Sequence, residues 1–272
     1  MKGRYLRHVT GVDGAMRRVG LLRLVTLVGA CAALAAAAAP ANAARISVGK
    51  LILRADGGFE PRQLPRRTYV PIRFEGHGNI EMRDGSVPPA LQRVRLDFDR
   101  DGKLTTTGLP TCQASQIEGT TTKQARSRCG DAQVGSGKVG ATAALPFLGR
   151  VNVRAPLTLF NGPKQGHTWT VLAHAQTDLL LPETYVVTIP VEPRRGAYAY
   201  RSTFDIPPIL GGLASLTHLS GKVGRIYTAG GREHSFISAR CSDGILQTQG
   251  FASFADGTVM SGSLFKPCSV QR

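Results

Sequence analysis

The chain of 272 residues carries 34 Lys and Arg against 18 Asp and Glu, a formal charge of +16, with 32 Gly, 16 Pro and one Trp. Its apolar content is enough for a packed core, and its Gly and Pro follow no collagen-like period, so wholesale disorder and a fibrous fold are both excluded. Only one stretch, near the amino terminus, is apolar for long enough to enter a bilayer, which argues against a polytopic membrane protein.

That stretch runs from Leu21 to Ala39, is preceded and entered by Arg17, Arg18 and Arg23, and ends in Pro40-Ala41-Asn42-Ala43. Basic, apolar and small-residue regions in this order make a secretory signal, with cleavage expected after Ala43. Met16 gives a more usual signal length than Met1. A retained anchor needs about 20 strongly apolar residues, whereas the second half of this run is mostly Ala. Val28-Gly29-Ala30-Cys31 loosely matches a lipoprotein box, yet Ala-rich sequence continues past Cys31 where a polar tether belongs. Residues 1–43 are therefore read as the signal and 44–272 as one mature domain. Its 229 residues hold 28 basic and 17 acidic side chains, a formal +11, and 21 of the basic residues are Arg.

Beyond the signal the sequence alternates in twos. Val94, Leu96 and Phe98 alternate with Arg93, Arg95, Asp97 and Asp99; Val151 and Val153 alternate with Asn152 and Arg154. Trp169, Val171 and Ala173 share a face, as do Tyr185, Val187, Ile189 and Val191, and then Tyr198, Tyr200 and Phe204. This is the period of strands with one buried face. Asp56-Gly57, Asp84-Gly85, Asp101-Gly102, Asn161-Gly162, Asp243-Gly244 and Asp256-Gly257 supply turn dipeptides tolerant of positive φ. The clearest hairpin joins residues 245–255 to 258–265 through Asp256-Gly257. Pro61–Pro71 and Pro207–Gly212 read as loops that cross between sheets.

Cys112 to Cys129 breaks the alternation and predicts two short helical turns, Gln113–Ile117 and Thr121–Arg128. Thr120 or Thr121 would cap the second, and Gly130 would stop it. The mature chain keeps Cys112, Cys129, Cys241 and Cys268, an even set that points to disulfides in an exported protein. Three connectivities are open. Short loops favour Cys112–Cys129 and Cys241–Cys268, worth about 3 and 3.5 kcal/mol in the loop-entropy description. The expected class is all-β, a β-sandwich or jelly-roll-like domain with a small helical insert near 112–129.

Leu96-Asp97-Phe98-Asp99-Arg100-Asp101-Gly102-Lys103-Leu104, Gly108-Leu109-Pro110-Thr111-Cys112, and Cys129-Gly130-Asp131-Ala132-Gln133-Val134-Gly135-Ser136-Gly137 make up a set of distinctive segments. With Phe160-Asn161-Gly162, Phe254-Ala255-Asp256-Gly257 and Cys268, it resembles a group of exported bacterial β-rich proteins of unknown function. The resemblance implies a signal peptide, an extracellular β domain and paired cysteines, and supplies no substrate or catalytic residue.

Asp97-x-Asp99-x-Asp101-Gly102 is the most suggestive short pattern, because alternate carboxylates before a Gly can wrap calcium. An EF-hand loop needs Glu at its twelfth position, where this chain has Gly108. The competing reading is a hairpin, with Asp97 and Asp99 on the solvent face beside Arg93 and Arg95. His174 with Asp178 could form a base and its orienting carboxylate, but reads as a surface pair. No G-x-S-x-G elbow or C-x-x-C zinc pair occurs, and Gly135-Ser136-Gly137-Lys138 lacks the spacing of a phosphate loop. Neither catalytic, cofactor nor metal residues are therefore assigned.

Basic residues cluster at Arg62, Arg66, Arg67 and Arg73, at Lys123, Arg126 and Arg128, and at Arg194, Arg195 and Arg201. Such an excess attracts anionic envelope polymers or lipid surfaces, while specific nucleic-acid binding would need aromatics interleaved with the basic residues. The expected protein is exported, non-catalytic and acts by binding at or outside the cell envelope. One alternative is a polysaccharide-acting hydrolase or lyase on a jelly-roll face; the other is a calcium-dependent adhesion module.

Overall fold

The computed structural model describes residues 43–145, 148–177 and 182–270, which fall within one compact unit, Ala41–Arg272. Residues 1–42, with Cys31 and all but the last residue of the expected signal, lie outside the described residues, as does Asp178. The chain order is β1 (Ala44–Val48), β2 (Leu51–Glu60), β3 (Gln63–Leu64), β4 (Val70–Pro71), β5 (Arg73–Met82), β6 (Leu91–Asp99) and β7 (Gly102–Leu104). Two short helices follow, α1 (Ala114–Ile117) and α2 (Thr122–Cys129). Then come β8 (Gln133–Leu145), β9 (Gly149–Asn161), β10 (Trp169–Thr177), β11 (Glu183–Pro193), β12 (Tyr198–Asp205) and β13 (Ala214–Val223). The chain finishes with β14 (Ile226–Ala229), β15 (Arg232–Ser235), β16 (Ile237–Ala239), β17 (Ile245–Phe254), β18 (Val259–Pro267) and β19 (Ser269–Val270).

The expected all-β class holds, and the helical insert lies where the sequence places it. The architecture differs from two stacked sheets. Twelve strands form one sheet in the order β1-β2-β5-β13-β8-β9-β10-β11-β12-β6-β17-β18, every neighbouring pair antiparallel. Its last strand packs beside β1 and β2, so the sheet nearly closes into a barrel. Gly262 on β18 makes that approach possible: a Cβ there would stand 2.5 Å from Ile46 on β1.

Curvature on the other side comes from a second glycine feature. Gly57, Gly76, Gly221 and Gly137 are directly paired across β2, β5, β13 and β8. They share the face that continues to Leu157 in the core. A Cβ on Gly137 would lie 1.9 Å from the Ser220 carbonyl oxygen, closer than any side chain permits. Strands bend tightly where backbone meets backbone without side chains between them. Asp56-Gly57 is accordingly not a turn but the interior of β2, which corrects the sequence reading.

Inside the sheet, Leu157, Leu159, Ala173 and Ala175 pack on Leu109 and Phe236. The opposite face of β9 and β10 carries Phe160 and Leu172, covered by Ile117, Ala125 and the Cys112–Cys129 disulfide. Thr121 starts α2 with a reciprocal capping box, as expected, and at the start of α1 the Gln116 side chain accepts the Gln113 N–H at 2.7 Å. Gly130 does not end α2 in a left-handed turn; the chain runs on into a 3-10 turn over Gly130–Ala132. The Asp256-Gly257 hairpin forms as read. Cys241 pairs with Cys268, the second of the favoured bonds.

Because neighbours alternate in direction, the connections of the large sheet sort into two ends. One end receives segments 61–72, 100–132, 162–168, 194–197 and 224–244, which hold the helices, the small sheets and Cys112, Cys129 and Cys241. The other receives 49–50, 83–90, 206–213 and 255–258, with the described residues Leu148 and Pro182. We call these the capped end and the loop end. The capped-end segments hold 14 Lys and Arg against 5 Asp and Glu, a formal +9; the described loop-end residues hold 2 against 2.

Candidate polyanion-binding end

The capped end is built on the Asp97–Asp101 pattern, whose three carboxylates do three different things. Asp97 is buried, and Arg201 grips it with Nε to Oδ1 at 2.6 Å and Nη2 to Oδ2 at 3.2 Å. Arg95 Nε lies 3.5 Å from Oδ2 of the same carboxylate, with its guanidinium carbon 3.5 Å from the centre of the Phe251 ring. Asp99 accepts the backbone N–H groups of Asp101 and Gln247, both at 2.8 Å. Burial, helped by the nearby charges of Asp101 and Asp243, pushes its carboxyl above the ordinary range. Asp101 is fully buried and accepts Arg240 Nε at 2.9 Å and the Ser242 backbone N–H at 2.6 Å. Burial alone would raise its pKa; the bonds from Ser242 and Arg240 overcome that and hold it below the usual carboxylate value.

Two expectations are thereby corrected. Asp97 does not face solvent, because Arg201 and Arg95 close over it. Nor do β6 and β7 pair as a hairpin: the Asp101-Gly102 turn sends the chain into a separate small sheet, β4-β16-β7. Arg201, grouped by sequence with Arg194 and Arg195, is spent on Asp97.

That small sheet positions a cluster that sequence spacing does not bring together. Val70 pairs with Ala239 and Ala239 with Gly102, so Tyr69, Lys103 and Arg240 converge from three distant segments. Lys103 Nζ is 5.6 Å and the Arg240 guanidinium 5.0 Å from the centre of the half-exposed Tyr69 ring. The neighbouring loop is held by its backbone. Cys241 N–H donates to Pro65 O at 2.9 Å, Ser269 N–H to Arg62 O at 3.0 Å, and β3 runs parallel to β19. Arg62, Arg66 and Arg67 project from it, exposed; Arg66 makes one long hydrogen bond to Ser242 O at 3.4 Å. The available sequence signal was the string Arg66-Arg67-Thr68-Tyr69, an aromatic directly beside paired arginines.

A second aromatic and basic group lies at the same end. Lys164 Nζ sits 4.6 Å over Trp169, which meets Tyr200 edge-on at 5.6 Å. Tyr200 points inward as expected, its hydroxyl accepting the Leu104 N–H at 3.2 Å. Arg194 and Arg195 are exposed on the β11–β12 connection, and Arg232 is exposed at the start of β15. None of Arg62, Arg66, Arg67, Lys103, Lys164, Arg194, Arg195 or Arg232 has an ion-pair partner among the described residues. Of the insert residues, Arg126 is held on Thr158 Oγ1 at 3.3 Å and Arg128 on Gln116 O at 3.0 Å, so they serve the packing of α2.

His174 is not a surface residue. It is fully buried under the insert, Nε2 lying 3.1 Å from Thr120 O, and burial lowers its pKa. No family model matches the chain, and neither a curated protein nor a solved structure matches it.

Proposed function

We propose that this chain is an exported, non-catalytic binding protein of the cell envelope that holds anionic polymer on its capped end. The observation that carries the reading is the set of Arg and Lys without an ion-pair partner among the described residues, beside Tyr69 and Trp169, on a scaffold locked by the buried Asp101 and the Cys241–Cys268 bond. A rigid backing reduces the ordering cost of binding, and exposed guanidinium groups match phosphate or carboxylate oxygens. The fate of the Asp97–Asp101 carboxylates favours this over the two alternatives. Each is committed to a separate guanidinium or to backbone N–H groups, so they are not arranged to share a calcium ion or to act as an acid–base pair. Two disulfides and the signal-like amino terminus agree with an oxidising, exported setting.

The test is salt-gradient elution of the exported protein from immobilised polyphosphate and from anionic cell-wall polymer. Replacing Arg66, Arg67 and Lys103 by Ala should move elution to clearly lower salt and reduce the salt slope by about one for each phosphate no longer neutralised. Elution of the triple variant with the parent protein would refute the assignment.

A further inference from the structure

The two faces of β9 and β10 belong to separate cores. Leu157, Leu159, Ala173 and Ala175 point into the barrel, whereas Phe160 and Leu172 on the outer face pack with Cys112, Ile117, Ala125 and Cys129 of the insert. Lifting the insert would dismantle its own small core and leave the barrel's intact, the condition for opening below the level of global unfolding. The Cys112–Cys129 bond joins the two ends of the segment, so residues 113–128 would move as one closed loop.

At the centre of that contact the Thr120 carbonyl takes two donors from the sheet, Thr184 Oγ1 on β11 at 2.9 Å and His174 Nε2 on β10 at 3.1 Å. A carbonyl only accepts, which places the imidazole proton on Nε2. The Thr120 hydroxyl, 3.4 Å from the same nitrogen, donates to Ile117 O at 2.7 Å, so it too can only accept from His174. Nδ1 is left as a bare lone pair, buried and without a hydrogen-bond partner. Neutral imidazole fits this place. Imidazolium does not, because its second N–H would be buried with nothing to accept it.

Nor does a counter-charge face the ring among the described residues. β9 sets Thr158 directly opposite His174, and its hydroxyl accepts from Arg126 of α2, itself a cation. On the same outer face β10 places Leu172 and Gln176, and β11 places Thr184 and Val186. Lys123 and Glu118 of the insert are exposed, and Glu183 lies on the other face of β11 with Tyr185. Burial lowers the His174 pKa against the pull of nearby backbone carbonyls.

We infer that the insert is an acid-released lid: protonation of His174 frees residues 113–128 from β9, β10 and β11 and uncovers Phe160 and Leu172 while the barrel stays folded. An apolar patch on the outside of the sheet is thus hidden at neutral pH and presented in acid. The inference is independent of the polyanion-binding reading. Its sign follows from the two states. With the lid open the imidazole meets water and titrates near 6.5, whereas closed it titrates lower, so the open state takes the proton first. Opening is favoured about tenfold for each pH unit below that value, which gives up to about 25-fold between pH 7 and pH 5.

The experiment is amide hydrogen exchange of the exported, disulfide-bonded protein at pH 7 and pH 5, corrected for the intrinsic pH dependence of exchange. The reporters are the Thr122 N–H, bonded to Gln176 Oε1 at 2.9 Å across the contact, and the Ala125 N–H, bonded to Thr121 O at 2.8 Å within α2. Their opening should rise about 10- to 25-fold at pH 5 while amides of β6 and β17 keep their protection. In His174→Gln, which retains a donor for Thr120 O and takes no proton, the rise should vanish. Thr184→Val removes the other donor and should raise opening at both pH values alike, leaving their ratio intact. Equal opening at the two pH values would overturn the inference. So would a rise shared by β6 and β17, which is global unfolding, or an undiminished rise in His174→Gln. If that variant does not fold, the His174 ring resonances of the parent protein decide, since they must titrate over the pH range in which the insert opens, and a mismatch would overturn the inference too.

Discussion

Substituting Asp101 by Asn removes one negative charge from the inside of the capped end while nearly preserving shape. The wild-type carboxylate takes the Arg240 guanidinium on Oδ1 and the Ser242 N–H on Oδ2, with no exposed surface of its own. An amide oxygen can still accept one of these bonds, but its NH₂ must then face the other donor, and Arg240 loses its counter-charge. Breaking a fully buried ion pair costs about 3–5 kcal/mol. Arg240 is one-third exposed and can turn toward water, so the lower bound of about 3 kcal/mol applies. In a domain of this length each kcal/mol lowers Tm by about 2–4 °C, giving a drop of about 6–12 °C at pH 7. The acid limb gives a sharper test. The Asp101 carboxyl is held below its ordinary value in the folded state. Its contribution is therefore complete above the unfolded value of about 3.9 and is lost as pH falls through the folded one. The Tm gap between wild type and Asp101→Asn, followed by circular dichroism, should be full at neutral pH and shrink only below about pH 4. A gap under about 2 °C at pH 7, or one unchanged into acid, would refute the assigned role.

Two other substitutions probe the sheet and the insert. Gly137→Ala puts a Cβ 1.9 Å from a backbone oxygen that no rotamer change can move. The variant should be recovered unfolded or with its cooperative melt lost, and a parent-like melt would show that the strands need not approach so closely there. His174, buried neutral against Thr120, has a lowered pKa, so the unfolded chain binds the extra proton first. Stability then falls as pH drops below about 6.5, by up to about 1.4 kcal/mol per pH unit until the folded value is reached. His174→Gln should flatten that limb in denaturant titrations at pH 5 and 7, and an identical slope in both proteins would remove His174 as its source.

Strand periodicity was legible because most strands of the large sheet bury one face, and alternation records that directly; β9 and β10 bury both where the insert covers them. The same alternation is silent on what lies across the buried face, so one sheet curled on itself reads like two stacked sheets. Asp56-Gly57 was misread for a related reason. A glycine in a turn and a glycine in a packed row look alike until Gly76, Gly221 and Gly137 are known to stand beside it. Helix starts and disulfide partners were easier, since Thr121 with Gln124 and Cys112 with Cys129 are local in sequence. At the site, Arg66 and Arg67 could be found from composition, but Arg240 could not. Its place over Tyr69 depends on the pairing of Val70, Ala239 and Gly102, three segments linked only by the small sheet. The burial of Asp97 likewise follows from its register opposite Arg201, which lies 104 residues away.

The net charge of residues 44–272 conceals how that charge is distributed. Among the described residues, eight acidic side chains form ion pairs, most of them on the strands or at their margins, and so neutralise the body of the sheet. Basic residues without partners are left over, and strand direction decides where they go: every connection following a strand that runs one way reaches the capped end. An even spread of positive charge would attract polymer and anionic membrane alike on all sides and would orient neither. With +9 gathered at one end, the attraction for a polyanion would be directional and weakened by salt. Added salt should therefore release a polyanion held at the capped end.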